Sequence, residues 1–507
     1  MYTQSVMSAE AARTKRRRKL LVWPLALVLV IALGAGGWLL WGGDSGGSRA
    51  KTQAVAGQSR LDVRASVEKR PASTVGKMAF RLSVDDMSPG EQYEMPGIWA
   101  TDKILAKGIN KTLVGFAVGT DAAPGDEKWK LPLDGPICGY TRHVTNENRT
   151  AVLYRANDDE EEDAYCNQVA FFDLDDGRMV WSREFPATQS SATSRIPANS
   201  ALQDTPSVTL VHDTVAVSWG GGTTAYGMDF GKKRWSTKAH GVCQDSGVAG
   251  GGALLVRELC QSNDKSLPVD SPEHIRYQVR KVDPATGRTL WSYAAAKGIR
   301  DVSIPSADPA VLAVAAGDAG ITELLSLDDD GESRATIRLQ NGTYLGECPL
   351  DDYLAIDYCP TVAVGSKQVF LRSKDDIGAV TANWVIGFDL ATGNTTTKFD
   401  SGPNALLIPV RTSGDQLMAL RQSQDNITPN ALVSLDPETG KETPYFYFVL
   451  PAEASTFTSI AFNDVLVQSG RLFISPKSVT GPSADQPQWI YLVLGIESTT
   501  PTTPSTP

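Results

Sequence analysis

Six cysteines, four histidines and one Gly-Asp-Ser-Gly-Gly string are the residues of this 507-residue chain whose types could do chemistry. The cysteines are Cys138, Cys166, Cys243, Cys260, Cys348 and Cys359. None stands in a C-x-x-C pair or beside a set of histidines, so zinc, the alternative to disulfides, is not expected. An even count in an exported body points to structural disulfides. Sequence neighbours close the smallest loops, which gives 138–166, 243–260 and 348–359. The histidines, His143, His212, His240 and His274, are each at least 28 residues from the next, and no ligand pair is visible. Gly43 to Gly47 spells the loop around a trypsin-like serine. No strand precedes it, and no His and Asp partners lie in a folded body upstream, so it reads as linker. Asp158 to Asp163 is a run of six acids, expected to be a solvated loop. No catalytic residue and no metal ligand is assigned, and cofactor-binding residues stay unassigned.

The charge distribution limits the partners. The chain carries a formal −10, and residues 1–19 hold six basic side chains against the one acid Glu10, which leaves −15 on the rest. An acidic body repels a phosphate backbone, so no nucleic-acid partner is expected. Residues 20–41 form a run of 22 residues without a charge. As a helix it would span the roughly 30 Å hydrocarbon core of a bilayer. Arg13, Lys15, Arg16, Arg17, Arg18 and Lys19 precede it directly, which places the N-terminus in the cytoplasm and the remainder outside. The apolar run is too long for a cleaved signal peptide, and the expectation is an uncleaved single-pass signal anchor in the plasma membrane.

The elements that must hold the remaining residues come from a repeat. FDLDDGRMVW at 172–181 and VDPATGRTLW at 282–291 are the fullest copies, with looser ones at 120–129 and 228–235. Copies without the tryptophan stand at 327–335, 388–397 and 435–444. Their glycines, Gly125, Gly177, Gly231, Gly287, Gly331, Gly393 and Gly440, are 44 to 62 residues apart. A period near fifty fits a four-stranded propeller blade. Asp173 and Asp283 would cap the turn, Gly177 and Gly287 would supply its positive φ, and the next strand opens at once. Trp129, Trp181, Trp235 and Trp291 each lie four residues past the glycine. They are expected to pack between blades rather than to form an aromatic cage.

The D-x-x-T-G-x-x-x-W signature of VDPATGRTLW resembles the tryptophan-docking repeat of quinoprotein propellers. That family includes pyrroloquinoline-quinone dehydrogenases and the propeller lipoprotein of the outer-membrane β-barrel assembly machinery. The layout here is also similar to membrane-anchored actinobacterial propellers. The resemblance covers about 400 residues and implies an all-β, eight-bladed propeller, with seven blades as the alternative, preceded by one transmembrane helix. The expected organisation is a cytoplasmic tail (1–19), the anchor (20–41), a flexible linker (42–74), the propeller (75–497) and a disordered Ser/Thr/Pro tail (498–507). Ring closure is expected from strand 78–84 pairing beside 489–494. A quinone dehydrogenase of this type implies calcium, an aspartate base and adjacent cysteines. No two cysteines are adjacent here, so the quinone is not expected as a cofactor. The function expected is a non-catalytic binding or scaffold module for an envelope protein or peptide. A quinone-dependent dehydrogenase and an envelope sensor are the alternatives.

Overall fold

Alternation of apolar and polar residues between Gly- and Asp-rich turns makes antiparallel strands, and here they form blades of four, with a fifth short strand in blade 6. The computed structural model describes residues 59–83, 87–118, 124–156, 166–186, 206–262, 266–267, 271–316, 320–339, 343–348, 355–377, 380–425, 427–451, 454, 457, 462–482 and 491–500. Blade 2 is typical. Its strands Ile137–Tyr140, Arg149–Arg155, Cys166–Asp173 and Met179–Glu184 pair in sequence order. Blade 1 runs from Ile98–Ala100 to Glu127–Pro132, blade 3 from Ser207–Val211 to Lys233–Ser236, and blade 4 from Cys243–Ala249 to Thr289–Ala294. Blade 5 runs from Ile299–Ala307 to Ser333–Arg338, blade 6 from Tyr344–Leu345 to Thr395–Asp400, and blade 7 from Ala405–Ser413 to Glu442–Phe448.

The eighth blade takes strands from both ends of the chain. Asn463–Gln468, Arg471–Pro476 and Tyr491–Ser498 supply three, and Gly76–Ser83 pairs on Tyr491–Ser498 as the fourth. Met78 faces Ile496 and Leu82 faces Val493. The closure expected from the sequence is present, with both strands starting at residues 76 and 491. The wheel is therefore all-β and eight-bladed, and the alternative of seven blades is set aside. Pairing of Gly76–Ser83 on Tyr491–Ser498 completes the eighth four-stranded sheet and covers the edge that a three-stranded blade would leave.

Burial follows the radius. First strands such as Ser207–Val211 are buried throughout, whereas fourth strands such as Glu127–Pro132 bury chiefly the tryptophan. The apolar core lies between neighbouring blades. One cluster joins Trp129 of blade 1 to Phe172 and Leu174 of blade 2, and another joins Phe171 and Trp181 of blade 2 to Tyr226 and Met228 of blade 3.

The flexible linker expected over 42–74 differs in its second half. Residues 59–70 lie against the wheel as a strap, because their polar groups find fixed partners there. Val63 bridges Thr145, and Arg64 donates to Asn148 Oδ1 at 2.8 Å and to the Ala100 carbonyl at 2.9 Å. The anchor run 20–41 and the stretch 42–58 lie outside the described residues, as do the acidic run 158–163 and most of the C-terminal tail. Among the described residues no helix is long and apolar enough to cross a membrane.

Candidate functional site: two faces and an axis

The repeat residues build the joints between blades. In each full copy the aspartate carboxylate accepts amide hydrogens from the turn ahead of it. Asp283 Oδ1 takes those of Ala285 (3.0 Å) and Thr286 (2.9 Å) as well as the Thr286 hydroxyl (2.9 Å). These bonds favour the charged form and hold the Asp283 carboxyl below its usual range. Asp173 Oδ1 accepts from Asp175 N in the same way. The turn closes with the glycine amide on the aspartate carbonyl, Gly177 on Asp173 and Gly287 on Asp283. The seven repeat glycines all have positive φ. Gly177 shows the second reason for glycine: a Cβ there would sit 2.4 Å from the Trp129 ring of the preceding blade.

Each tryptophan thus lies flat on the glycine turn of the next blade. Trp181 covers Gly231, Trp235 covers Gly287 and Trp291 covers Gly331. Three of the indoles also donate to the carbonyl three residues before that glycine: Trp129 to Leu174 (3.1 Å), Trp181 to Met228 (2.8 Å) and Trp235 to Pro284 (2.9 Å). Trp291 is the exception. The turn it meets, Asp328 to Gly331, is one residue shorter, with the Gly331 amide on the Asp328 carbonyl. Among the described residues the Trp291 indole nitrogen has no hydrogen-bond partner. In blade 6 Thr397 takes the tryptophan position, and its hydroxyl donates to the equivalent carbonyl, that of Pro437. Gly125 and Gly393 complete the series, the first under Phe80 and Leu82 of the closing strand and the second beside Ala335. Gly440 lies next to Thr397.

The two faces of the wheel differ. On one, the turns between first and second strands are short, as at 101–103, 212–213, 414–415 and 469–470. The repeat turns share this face. The strap crosses it: the Glu68 side chain is 2% exposed, pairs with Arg411 at 2.5 Å, and accepts the amides of Ser469 (3.1 Å) and Gly470 (2.6 Å). Its own amide donates to Ser413 Oγ at 2.7 Å. At the opposite face the strand ends are joined over longer stretches of chain, as between Arg155 and Cys166, Glu184 and Ser207, Gln261 and Ile275, Phe448 and Asn463, and Pro476 and Tyr491. All three disulfides lie at this end: Cys138–Cys166, Cys243–Cys260 and Cys348–Cys359. The paired cysteines are 28, 17 and 11 residues apart in sequence, and closing loops of that size contributes about 2–4 kcal/mol per bridge on loop-entropy grounds. Ile427, Val449 and Phe462 are exposed apolar side chains on the same face, in blade 7 and the connection to blade 8.

At the axis, side chains from blades that are not neighbours converge. The short helix Ala355–Asp357 reaches inward from the stretch of blade 6 between Tyr344–Leu345 and Val362–Val364. Ile356 packs on Gly247 of blade 4, and Tyr358 joins the cluster of Trp99 and Tyr140 from blades 1 and 2. The Arg142 guanidinium and the Lys477 ammonium stand 5.2 and 4.9 Å from the Tyr358 ring centre. Burial pushes the Asp357 carboxyl up to about 7, against the opposing pull of Arg142. Burial, helped by the Arg142 charge, pushes His143 down to about 4. Burial also works against the Arg142 charge, but Tyr358, Asp464, Tyr140 and Asp357 outweigh it and raise its pKa.

The four histidines are not brought together. His143 is near the axis, His212 meets Asp62 of the strap at 3.2 Å, His240 faces Glu258 at 3.8 Å and His274 ends a 3-10 turn. Arg142, Asp357 and Glu68 were not singled out from the sequence. Nothing in the surroundings YTRH, AIDY or SVEK distinguishes a charge that will sit at an axis or under a strap from one on a surface.

A family model described as outer membrane protein assembly factor BamB matches residues 96–250 and 276–445. Among solved structures, BamB from Moraxella catarrhalis is similar at 11% identity, with 81% of this chain and 98% of that chain covered and a TM-score of 0.43. Quinohemoprotein alcohol dehydrogenase from Comamonas testosteroni is similar at 12% identity, with 89% and 83% covered and a TM-score of 0.43. Sqt1 from Saccharomyces cerevisiae is similar at 10% identity, with 86% and 100% covered and a TM-score of 0.42. No curated protein matches the chain.

Proposed function

We propose, because the chain belongs to the propeller family described as outer membrane protein assembly factor BamB, that it is a non-catalytic binding or scaffold module for protein partners at the cell envelope. The observation that carries this reading is the asymmetry of the faces. One face is sealed by short turns and the strap, and the other holds long connections stapled by three disulfides. A rigid wheel with one elaborated face is suited to presenting a fixed surface to a macromolecule, since little ordering entropy is then lost on binding.

The membrane arrangement belongs to the same proposal. Residues 20–41 anchor the chain in the plasma membrane, with the wheel outside the cytoplasm. The proposal includes no quinone; the packing of the chain's own Ile356 and Tyr358 into the core clusters near the axis supports leaving it out.

A photo-cross-linking residue placed in cells at Phe462 or Ile427 should give discrete protein adducts, and one at Asp176 on the strap-bearing face should give none. Adducts from Asp176 alone, or equally from both faces, would overturn the assignment of binding to the loop-bearing face. Full-length protein supplied with pyrroloquinoline quinone and calcium should reduce no dye with alcohols or sugars; quinone-dependent turnover would replace this reading with the dehydrogenase.

A further inference from the structure

On the loop-bearing face of blade 4, four side chains with metal-ligating atoms meet. His240 and Cys243 belong to one turn, in which each donates its amide to the other's carbonyl (2.9 and 3.0 Å) and Gly241 takes φ 60°. Cys243 stands directly opposite Cys260 in the paired strands Cys243–Ala249 and Leu254–Gln261. Glu258 lies two residues before Cys260, on the same side of the strand. The ligand atoms of His240, Cys243 and Glu258 all lie within 4.8 Å of one another. His240 Nε2 is 3.8 Å from Glu258 Oε1, and Cys260 Sγ is 4.0 Å from Glu258 Oε2.

Two further observations point to a missing positive charge. Glu258 is 3% exposed, yet its Oε1 accepts no hydrogen bond among the described residues. A buried carboxylate oxygen without a donor is costly to keep. Arg280 is the nearby cation, 3.7 Å from that oxygen, but it is already paired with the buried Asp245. The cluster of Asp245, Glu258 and Arg280 therefore holds one surplus negative charge.

We propose that reduction of Cys243–Cys260 turns this cluster into a zinc site with His240, Cys243, Glu258 and Cys260 as its four ligands. A dithiol reductant supplies two electrons and two protons. The S–S bond breaks, two thiols form, and the reductant becomes a disulfide. Zn²⁺ then binds both sulfurs as thiolates, and the two thiol protons leave to solvent. With bonds of about 2.0–2.3 Å, tetrahedral zinc needs its ligand atoms roughly 3.3–3.8 Å apart. The His240–Glu258 and Cys260–Glu258 separations, to the two oxygens of one carboxylate, are near that, the Cys243 sulfur lies within 4.8 Å of the His240 and Glu258 ligand atoms, and the two sulfurs must part. In the oxidised wheel the disulfide withholds both sulfurs, so the site is switched by the redox state of its surroundings. Metal would pin the connection 237–242 to the sheet of blade 4 and so alter the presented face.

The test uses the full-length chain, reduced with a dithiol, desalted without oxygen and titrated with Co²⁺ as an optical probe for the zinc site. The reduced chain should bind one Co²⁺ with thiolate-to-cobalt charge-transfer absorption, and Zn²⁺ should displace it. His240→Ala, at an exposed side chain that folding does not need, and Glu258→Gln should each weaken binding by at least about tenfold. Replacing Cys348 and Cys359 by serine should leave binding unchanged. Absence of the thiolate band, equal binding by the oxidised chain, or binding unaffected by both His240→Ala and Glu258→Gln would overturn the site.

Discussion

At the scale of single residues, the tryptophan joints work by the same two contacts repeated round the wheel, a ring laid on a glycine turn and an indole N–H donated to a carbonyl. Where one contact fails, the energetic consequence is defined. Trp181 has both, and Trp291 has the ring contact alone. Trp181→Phe loses a buried hydrogen bond as well as ring area, whereas Trp291→Phe removes a buried N–H that had no acceptor. The first should be more destabilising than the second by about 1 kcal/mol in chemical denaturation. Equal losses would show that the carbonyl contact adds nothing. The offset that aligned these residues was legible in the sequence, because a hairpin fixes the spacing between turn glycine and strand. The missing acceptor for Trp291 was legible only in hindsight, as the one residue dropped from the turn LDDDG. His240, Glu258 and Arg142 were not legible at all. Their partners come from other strands or other blades, and no local period marks such meetings.

At the scale of elements, two segments decide whether the wheel stays closed. Gly76–Ser83 contributes the fourth strand of blade 8, and the strap 59–70 ties the short turns of blades 1, 2, 7 and 8 together. Deleting 76–83 exposes the edge of Tyr491–Ser498 and should abolish cooperative unfolding of the whole wheel, whereas deleting 501–507 should leave the midpoint unchanged. Glu68→Ala takes the carboxylate from Arg411, whose guanidinium keeps the Ser66, Thr412 and Val467 carbonyls, and leaves the Ser469 and Gly470 amides without their acceptor. Losing a buried acceptor from such donors costs about 1–3 kcal/mol. The strap should then become cleavable under limited proteolysis while the blades stay intact. A strap that resists cleavage in this variant would show that Glu68 does not hold it. The closing strand could be read from its alternation, MAFRLSV. The strap could not, since its residues have no period and are held through side-chain hydrogen bonds to distant turns.

At the scale of the whole molecule, the axis couples stability to pH through two groups of opposite sign. Asp357 is raised from 3.8 to about 7, so the folded wheel keeps a proton that the unfolded chain has released. Its contribution is complete below about pH 4 and is lost as pH rises through 7. His143 is lowered from 6.5 to about 4, so the unfolded chain binds the proton first. Its contribution is present above pH 6.5 and is lost as pH falls through 4. Between those limits the two slopes oppose each other. Asp357→Asn should leave the His143 slope exposed, and stability should fall between pH 6.5 and 4.5 more steeply than in the native chain. His143→Gln should do the reverse, gaining stability relative to the native chain on acidification over the same range. Parallel curves for all three proteins would refute the assignment. The proposed anchor is tested at this scale too: protease added to intact protoplasts should remove the wheel and spare the N-terminal tail, and a protected wheel would place it inside.

The sequence by itself determined the repeat, and it pointed to eight blades with their closing strand, seven being the alternative, and to the cysteine partners. These depend on contacts that are local in the chain or recur at a fixed spacing, so hydrophobic alternation, turn chemistry and loop length carry them. The tertiary structure alone decided which residues share the axis, which face the strap seals, and that His240, Cys243, Glu258 and Cys260 meet on one edge of blade 4. Closing a ring brings together side chains far apart in sequence, and the distance between them is set by the geometry of closure rather than by any spacing along the chain.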